Sequence, residues 1–412
     1  MDKNPQSASL SILFFSLFAW TASNLDQSLF GYSVPGIMTE FKVGIDSIGL
    51  ILSVSFIVAA CMVVLAGLAA DAWGRRWTLA ALLATSALFV GLHSFITNIE
   101  QLIVLRALAF GLAAGLAPIT VAYVAESAPA RHRGMLMGVL QCGYPLGWFL
   151  AAMIASPLLE NSGWRSVFLV GFAIIPIAFF IAWRLPESAR YAAVAASRTP
   201  NARQRLNLNL IQTVFSQKYR LRSIASIVLF FAFGCAYAGT AFFFPTYFIS
   251  VRGYSPSEAA QLVGYSNGIA ILGYLAAAFV GEYWLPRRNT FAIWCALGAI
   301  ALLCLVWLAH ERWQDLFFFG LTGAFFYGSN AVVGTLLADL FPTKMRATAY
   351  AVCGSAPLTL GFALFPSVVP IFVVNNGWQW AFSVLIAPML IVSALAALTL
   401  PNIISGQEVT DD

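Results

Sequence analysis

The sequence predicts an all-α membrane protein: twelve transmembrane helices in two six-helix bundles related by an internal parallel repeat. Three observations carry that expectation. The 412 residues are 60% apolar and only 9% charged, whereas soluble domains are about 45–50% apolar and about 25% charged. A soluble fold with so few charges could not cover its surface, and the chain is about twice the usual size of one soluble core. Next, the apolar residues fall into runs of the ~20 residues that a helix needs to cross a bilayer, without the short alternating segments of a membrane barrel. Finally, short motifs recur between the halves. Glu126, Pro129 and Arg133 return as Asp339, Pro342 and Arg346, 213 residues on. Asn161, Gly163, Trp164 and Phe168 return as Asn375, Gly377, Trp378 and Phe382, 214 on, and Leu185-Pro186 returns as Leu400-Pro401, 215 on.

The spans follow in order. Span 1 (10–33) has neither a small-residue cleavage site nor a strongly basic start, so it reads as a retained helix and not as a signal peptide. Spans 2 to 6 cover 47–69, 77–96, 100–124, 134–157 and 165–184. Spans 7 to 12 cover 223–248, 259–282, 290–309, 315–338, 347–373 and 379–400. With both termini placed in the cytoplasm, 17 loop Lys and Arg lie inside and 4 outside, the asymmetry that orients a chain in a bacterial inner membrane. The net charge of +5 thus belongs to short inner loops and gives no argument for nucleic acid. Residues 185–222 are the one long polar and basic inner stretch and split the spans six and six. The expected domains are an N-terminal bundle 1–188, a cytoplasmic linker 189–221 and a C-terminal bundle 222–412. The linker reads first as a plain connector, with contact to anionic lipid as the sharper alternative.

Cofactor and metal chemistry find no footing. The six cysteines lie in apolar runs with no Cys-x-x-Cys pair, and the three histidines lie at or beyond span ends. Hydrolytic and redox constellations are absent from the sequence, so no enzyme is expected. A parallel repeat of two bundles instead fits a transporter whose site lies between the halves near the midplane.

The loop after span 2 reads Gly67-Leu-Ala-Ala-Asp71-Ala-Trp-Gly74-Arg75-Arg76. It resembles the G-x-x-x-D-x-x-G-R-R signature of the major facilitator superfamily at every fixed position. Glu126-Ser-Ala-Pro129 with Arg133-Gly134, Leu185-Pro-Glu187-Ser-Ala-Arg190, and Asp339-Leu-Phe-Pro342-Thr-Lys-Met-Arg346 are similar to stretches of its sugar and organic-acid symporters. The resemblance covers essentially the whole chain. It implies a cytoplasmic gate built from Gly67, Asp71, Gly74, Arg75, Arg76, Glu126, Arg133, Glu187, Arg190, Asp339 and Arg346, and a monomer. The matching loop of the second half, Gly281-Glu282 to Arg287-Arg288, keeps the basic pair but loses the aspartate spacing. The Asp339/Arg346 pair is expected to carry more of that second latch.

Ionisable groups inside spans are costly and are functional candidates by default. Asp26 in span 1 lies about 10 Å below the outer surface, and Arg106 in span 4 about 9 Å, at 1.5 Å per residue. Three readings compete: a proton carrier with its modulating arginine, a structural ion pair, or two groups separately satisfied by lumen water. Resemblance to aromatic-acid and organic-acid proton symporters, which carry an acid in span 1 and an arginine in span 4, supports the first. The usual D-G-x-D of the aromatic-acid group is Ser23-Asn24-Leu25-Asp26 here, so only the second acid survives. Arg106 and Gln141, Tyr144, Tyr237, Tyr265, Asn267 and Asn330 are the candidate substrate contacts, each of the last six competing with an interhelical hydrogen bond. Phe242-Phe243-Phe244 reads as core or lipid-facing rather than as a substrate cage.

The expected function is proton-coupled symport of a small organic anion, an aromatic or sugar-derived carboxylate, by alternating access. Partners are the anion, protons and the lipid bilayer, with no cofactor. The alternatives are a neutral sugar or polyol symporter, a proton-coupled efflux antiporter, and a transporter-like sensor.

Overall fold

The computed structural model describes residues 5–127, 133–187, 212–342 and 345–403; the side chains of 5–9, 71, 133–134 and 346–347 lie outside that description. Every regular element among the described residues is a helix. The first half runs α1 (Pro5–Phe41), α2 (Ile45–Trp73), α3 (Arg75–Leu92), α4 (Ile99–Ala114), α5 (Leu116–Ser127), α6 (Arg133–Gln141), α7 (Gly143–Asn161), α8 (Trp164–Phe168) and α9 (Val170–Arg184). The second half runs α10 (Arg220–Ala238), α11 (Phe244–Arg252), α12 (Pro256–Tyr283), α13 (Arg287–Trp307), α14 (Arg312–Phe325), α15 (Asn330–Asp339), α16 (Arg346–Ala349), α17 (Ala356–Asn376), α18 (Trp378–Ala381) and α19 (Ala387–Leu398). Among the described residues, 11 helical segments, from Ile45–Ala70 to Trp378–Leu398, are long and apolar enough to cross a membrane. They correspond in order to spans 2 to 12, and α1, 37 residues long, is the further long helix.

Two spans depart from expectation. Span 1 was expected to end at 33, yet α1 continues through Pro35 to Phe41. Tertiary contacts hold the extra turns: Phe41 packs edge-on against Trp164, and Trp164 Nε1 donates to Glu40 at 2.9 Å. Span 7 was expected to be continuous over 223–248, yet the helix stops at Ala238 and restarts at Phe244. Thr240 turns its hydroxyl back onto the carbonyls of Ala236 and Tyr237, at 2.9 and 3.1 Å. In a continuous helix Pro245 would remove an N–H donor and clash with the carbonyl four residues earlier; in the first turn of α11 it is tolerated.

Contacts group Met1–Ser197 with Ala241–Gly268, and Arg198–Thr240 with Ile269–Asp412. In the first unit α1 packs on α7 and α5, α2 on α4, and α3 on α9 and α4. In the second, α10 packs on α17, and α13 packs on α19 and α14. The pairings α1/α7 and α10/α17, and α3/α9 and α13/α19, are equivalents, so the repeat seen in short motifs extends to helix packing.

The α1/α7 contact is close. A Cβ on Gly147 would stand 2.6 Å from the Thr21 carbonyl oxygen and 2.8 Å from the Leu25 backbone nitrogen. Backbone cannot yield as a flexible side chain would. Gly147→Ala is expected to destabilise the fold by about 1–3 kcal/mol. An unchanged thermal unfolding midpoint in detergent would contradict this packing.

Candidate functional site

Asp26 on α1 and Arg106 on α4 meet inside the first unit, with Arg106 Nη1 3.7 Å from Asp26 Oδ1. Their side chains are 6% and 0% exposed. Local structure places both. Asn98 caps α4 by accepting from the Gln101 backbone N–H at 2.8 Å, which fixes the helix start seven residues before Arg106. On α1, Ser23 donates to the Ala113 carbonyl at 3.0 Å, tying that helix to the end of α4. Asn24 and Ser28 bond to carbonyls of their own helix, at 2.7 and 3.0 Å. Asp26 has no such partner: among the described residues, no protein group hydrogen-bonds to either carboxylate oxygen or to Nε, Nη1 or Nη2 of Arg106.

That arrangement has chemical consequences. At 3.7 Å the two charges attract without sharing a hydrogen bond. The planar guanidinium therefore keeps its fork of N–H donors for another acceptor, and a carboxylate matches that fork with two parallel bonds. Aromatic faces surround the cation. The guanidinium carbon lies 4.2 Å from the Phe30 ring centre, 5.0 Å from Phe110 and 6.0 Å from Phe242. Phe56 packs on Phe110 and Phe242 at 4.8 and 5.9 Å, and Trp148 on Phe242 at 6.0 Å. These rings exclude bulk water, stabilise the cation through their faces and offer flat apolar surfaces.

The pair lies at unequal distances from the ends of its two helices. Arg106 stands seven residues into α4, about 10 Å, but Asp26 stands fifteen residues before the end of α1, about 22 Å. The pair still meets because the last turns of α1 continue to their contacts with α8.

The other substrate candidates scatter. Gln141 ends α6 half-buried at the joint with α7, and Tyr144 is buried with its ring 6.0 Å from Trp148. Asn267 is buried and spends its amide N–H on the Val263 carbonyl at 2.8 Å. Tyr265 is 46% exposed and shares a stripe of α12 with the exposed Ile269, Leu272 and Phe279. Residues two apart lie on opposite sides of a helix, so Tyr265 joins the outer apolar face while Asn267 turns inward. In the second unit Tyr237 packs against Tyr327 and Phe362 at 5.2 and 5.6 Å, and Thr240 bonds to the Tyr327 hydroxyl at 3.0 Å. Asn330 opens α15 directly after the 3₁₀ turn Tyr327–Ser329.

Sequence reasoning missed Phe30 and Phe110. Each lies four residues after a charged member of the pair, hence on the same helix face, and that spacing was a usable signal. Phe242 is buried, as are Phe243 and Phe244; only the break in span 7 puts its ring near Arg106.

At the ends expected to face the cytoplasm, each unit holds an ionic cluster. Gly74, at φ +94°, joins α2 to α3 in a backbone conformation that disfavours any side chain. Arg75 donates to Glu126 through Nη2 at 3.1 Å and Nε at 3.4 Å, and its backbone N–H donates to Glu187 at 3.0 Å. Arg76 donates through Nε to the Ala182 carbonyl. A Cβ on Gly67 would meet nothing within 4 Å, so packing does not demand that glycine. The side chains of Asp71, Arg133 and Arg346, and the whole of Arg190, lie outside the described residues.

The second unit repeats the pattern despite its altered loop. Arg287 pairs with Asp339 at 2.5 Å and Glu282 at 2.7 Å, and Arg288 donates to the Leu400 carbonyl. Arg287 and Arg288 thus take the places of Arg75 and Arg76, and Asp339 that of Glu126. Arg287, at the first position of α13, reaches Asp339 directly; the expected Asp339/Arg346 pairing falls on a side chain outside the described residues.

At the opposite end of the first unit, Glu40 accepts from Arg165 and from Trp164. The Arg165 guanidinium, assisted by the Trp164 N–H, holds the Glu40 carboxyl below the usual carboxylate range.

Comparison with known proteins places the chain. The sequence model described as Major Facilitator Superfamily matches residues 11–321 and 267–409. A 4-hydroxybenzoate transporter of Acinetobacter baylyi is 25% identical over 91% of this chain and 87% of its own length. A cis,cis-muconate transport protein of the same organism is 29% identical over 84% of this chain and 86% of its own. A gallate transporter of Pseudomonas putida is 27% identical over 78% and 76%. Among solved structures, a D-xylose-proton symporter superposes with a TM-score of 0.73 at 17% identity, covering 97% of this chain and 99% of that one.

Proposed function

The chain belongs to the Major Facilitator Superfamily, a family of transporters and not of enzymes, and from that premise we propose that it takes up a small organic anion together with protons. One observation carries the reading: a buried Asp26–Arg106 pair whose five polar atoms have no hydrogen-bond partner among the described residues. Buried polar groups are normally satisfied, and a buried pair kept without partners is poised for a ligand. The relatives fit this, since their names give 4-hydroxybenzoate, cis,cis-muconate and gallate as cargo, all organic acids.

Arg106 binds the carboxylate, and Phe30, Phe110 and Phe242 line the approach. Asp26 carries the proton. Anion binding draws Arg106 away from Asp26, and the carboxylate that loses its counter-charge takes up a proton; protonation in turn frees Arg106 for the anion. The two ligands therefore favour each other by the same factor. With both bound the site is neutral and crosses the low-dielectric interior at least cost. Transport proceeds by alternating access, with both termini in the cytoplasm of the bacterial inner membrane. The clusters at Arg75 and Arg287 close the inner face. The working unit is a monomer.

Thermal-shift screening of the purified protein tests the substrate class. Aromatic and aliphatic carboxylates should raise the melting temperature, while xylose and uncharged polyols leave it unchanged. Stabilisation by neutral sugars with none by carboxylates would replace the anion with a neutral substrate.

A further inference from the structure

Trp148 on α7 has no part in the transport scheme given above, yet it borders the site. Its side chain is buried, at 2% exposure. Its ring centre lies 6.0 Å from that of Phe242, and the Phe242 ring centre lies 6.0 Å from the Arg106 guanidinium carbon. A second route leads to the same place. The Phe30 ring faces Arg106 at 4.2 Å. A Cβ on the next residue, Gly31, would stand 3.5 Å from Trp148 Cη2 and 3.7 Å from the Phe242 carbonyl oxygen. The indole, Phe242 and the Phe30–Gly31 step of α1 therefore pack as one wall beside the cation.

The indole is held in place. Tyr32 packs edge-on against it at 5.8 Å and donates its hydroxyl to the Trp148 carbonyl at 3.0 Å. Tyr144, one turn earlier on α7, lies 6.0 Å away. The close approach of Gly147 to the α1 backbone fixes the helix that carries the ring. The buried Nε1–H nevertheless has no acceptor among the described residues. An indole nitrogen is a donor only, and a buried tryptophan usually finds its N–H a partner. Phenylalanine would fill much of the same space without desolvating a donor. The unpaired N–H of Trp148 and the unpaired fork of Arg106 thus share one neighbour, Phe242.

We infer that Trp148 is a specificity-determining residue: its Nε1–H donates to an oxygen of the substrate at the end remote from the carboxylate on Arg106. The inference rests on the organic-anion reading of Arg106. With its carboxylate on the guanidinium and its ring against Phe242, a planar substrate carries its far end to the indole. The group read there must be an acceptor, because the indole can only donate. A hydroxyl, a carbonyl or a second carboxylate meets that need. The substrate class narrows from organic anions at large to carboxylates with an acceptor oxygen across an aromatic ring or a similar planar spacer. A ligand without that oxygen leaves the N–H unpaired in the bound state, and a buried donor left unpaired is how a site rejects the wrong ligand.

The test titrates the full-length protein in detergent with 4-hydroxybenzoate and with 4-methylbenzoate, in which a methyl group of similar size replaces the hydroxyl. The wild type should bind 4-hydroxybenzoate about tenfold more tightly. Trp148→Phe keeps an aromatic ring and removes the N–H. In that variant the preference should fall to about twofold or less, with the loss confined to 4-hydroxybenzoate. Equal losses for both probes would assign Trp148 to packing alone and overturn the inference, as would a preference that survives in Trp148→Phe. A second measurement needs no variant. One of the 12 tryptophan indole N–H signals should move downfield with 4-hydroxybenzoate and not with 4-methylbenzoate. Indole signals that respond alike to both probes would overturn the inference even if Trp148→Phe fails to fold. A wild type that binds neither carboxylate would instead remove the organic-anion reading on which the inference rests.

Discussion

Asp26→Asn should abolish proton-driven accumulation while leaving substrate exchange intact. Asparagine preserves the size and polarity of the side chain but cannot gain or lose a proton at physiological pH. With one-to-one coupling, a gradient of one pH unit is worth about 1.4 kcal/mol and supports about tenfold accumulation. The variant should fall to no accumulation at all. Counterflow exchange, in which labelled substrate replaces unlabelled substrate across the membrane, needs no net proton movement and should continue. The neutral amide also frees Arg106 from its counter-charge, so substrate affinity should hold or rise. Reconstituted liposomes with an imposed pH gradient provide the measurement. Accumulation in Asp26→Asn equal to wild type would remove Asp26 from the coupling mechanism.

Substitution of Arg106 should cost both binding and stability. Arg106→Ala leaves the Asp26 carboxylate buried without its counter-charge and removes the cation that Phe30, Phe110 and Phe242 surround. Breaking a buried pair in this way typically costs roughly 3–5 kcal/mol. Part of that cost disappears if Asp26 takes up a proton, so the destabilisation should shrink as the pH is lowered. Arg106→Lys separates charge from geometry. The ammonium restores a cation but not the planar fork, and an Arg-to-Lys exchange is not conservative at a bidentate site. Carboxylate affinity should therefore fall by about tenfold or more in Arg106→Lys, equivalent to at least ~1.4 kcal/mol, with thermal stability closer to wild type. Calorimetric titration of 4-hydroxybenzoate into both variants decides the matter: full affinity in Arg106→Ala would mean that the guanidinium does not hold the anion.

The ionic clusters show how far motif reading reached. The loop Gly67 to Arg76 was legible because its spacing survives, and Arg75 reaches Glu126 as the charges suggested. The equivalent loop at Arg287 had lost its aspartate spacing and read as degenerate. Yet Arg287 binds Asp339 and Glu282, and Arg288 caps the end of α19 through the Leu400 carbonyl. Motif spacing records where one chain segment puts its own residues. It does not record that a partner 52 residues away arrives at the same place.

The sequence by itself determined the membrane class, the number and order of spans, the repeat and the two charges placed well inside spans. All of these follow from local quantities: a run of apolar residues long enough for a bilayer, and the high cost of a charge within it. Only the tertiary structure decided what surrounds those charges. The break at Gly239 to Phe243 brings the Phe242 ring to within 6.0 Å of the Arg106 guanidinium. Contacts between α1 and α8 carry α1 past its expected end, and Arg287 meets Asp339 and Glu282 despite the altered loop. The physical reason is common to all three. Hydropathy is a sum along the chain and survives any arrangement, whereas a site depends on which side chains from distant segments pack at one point.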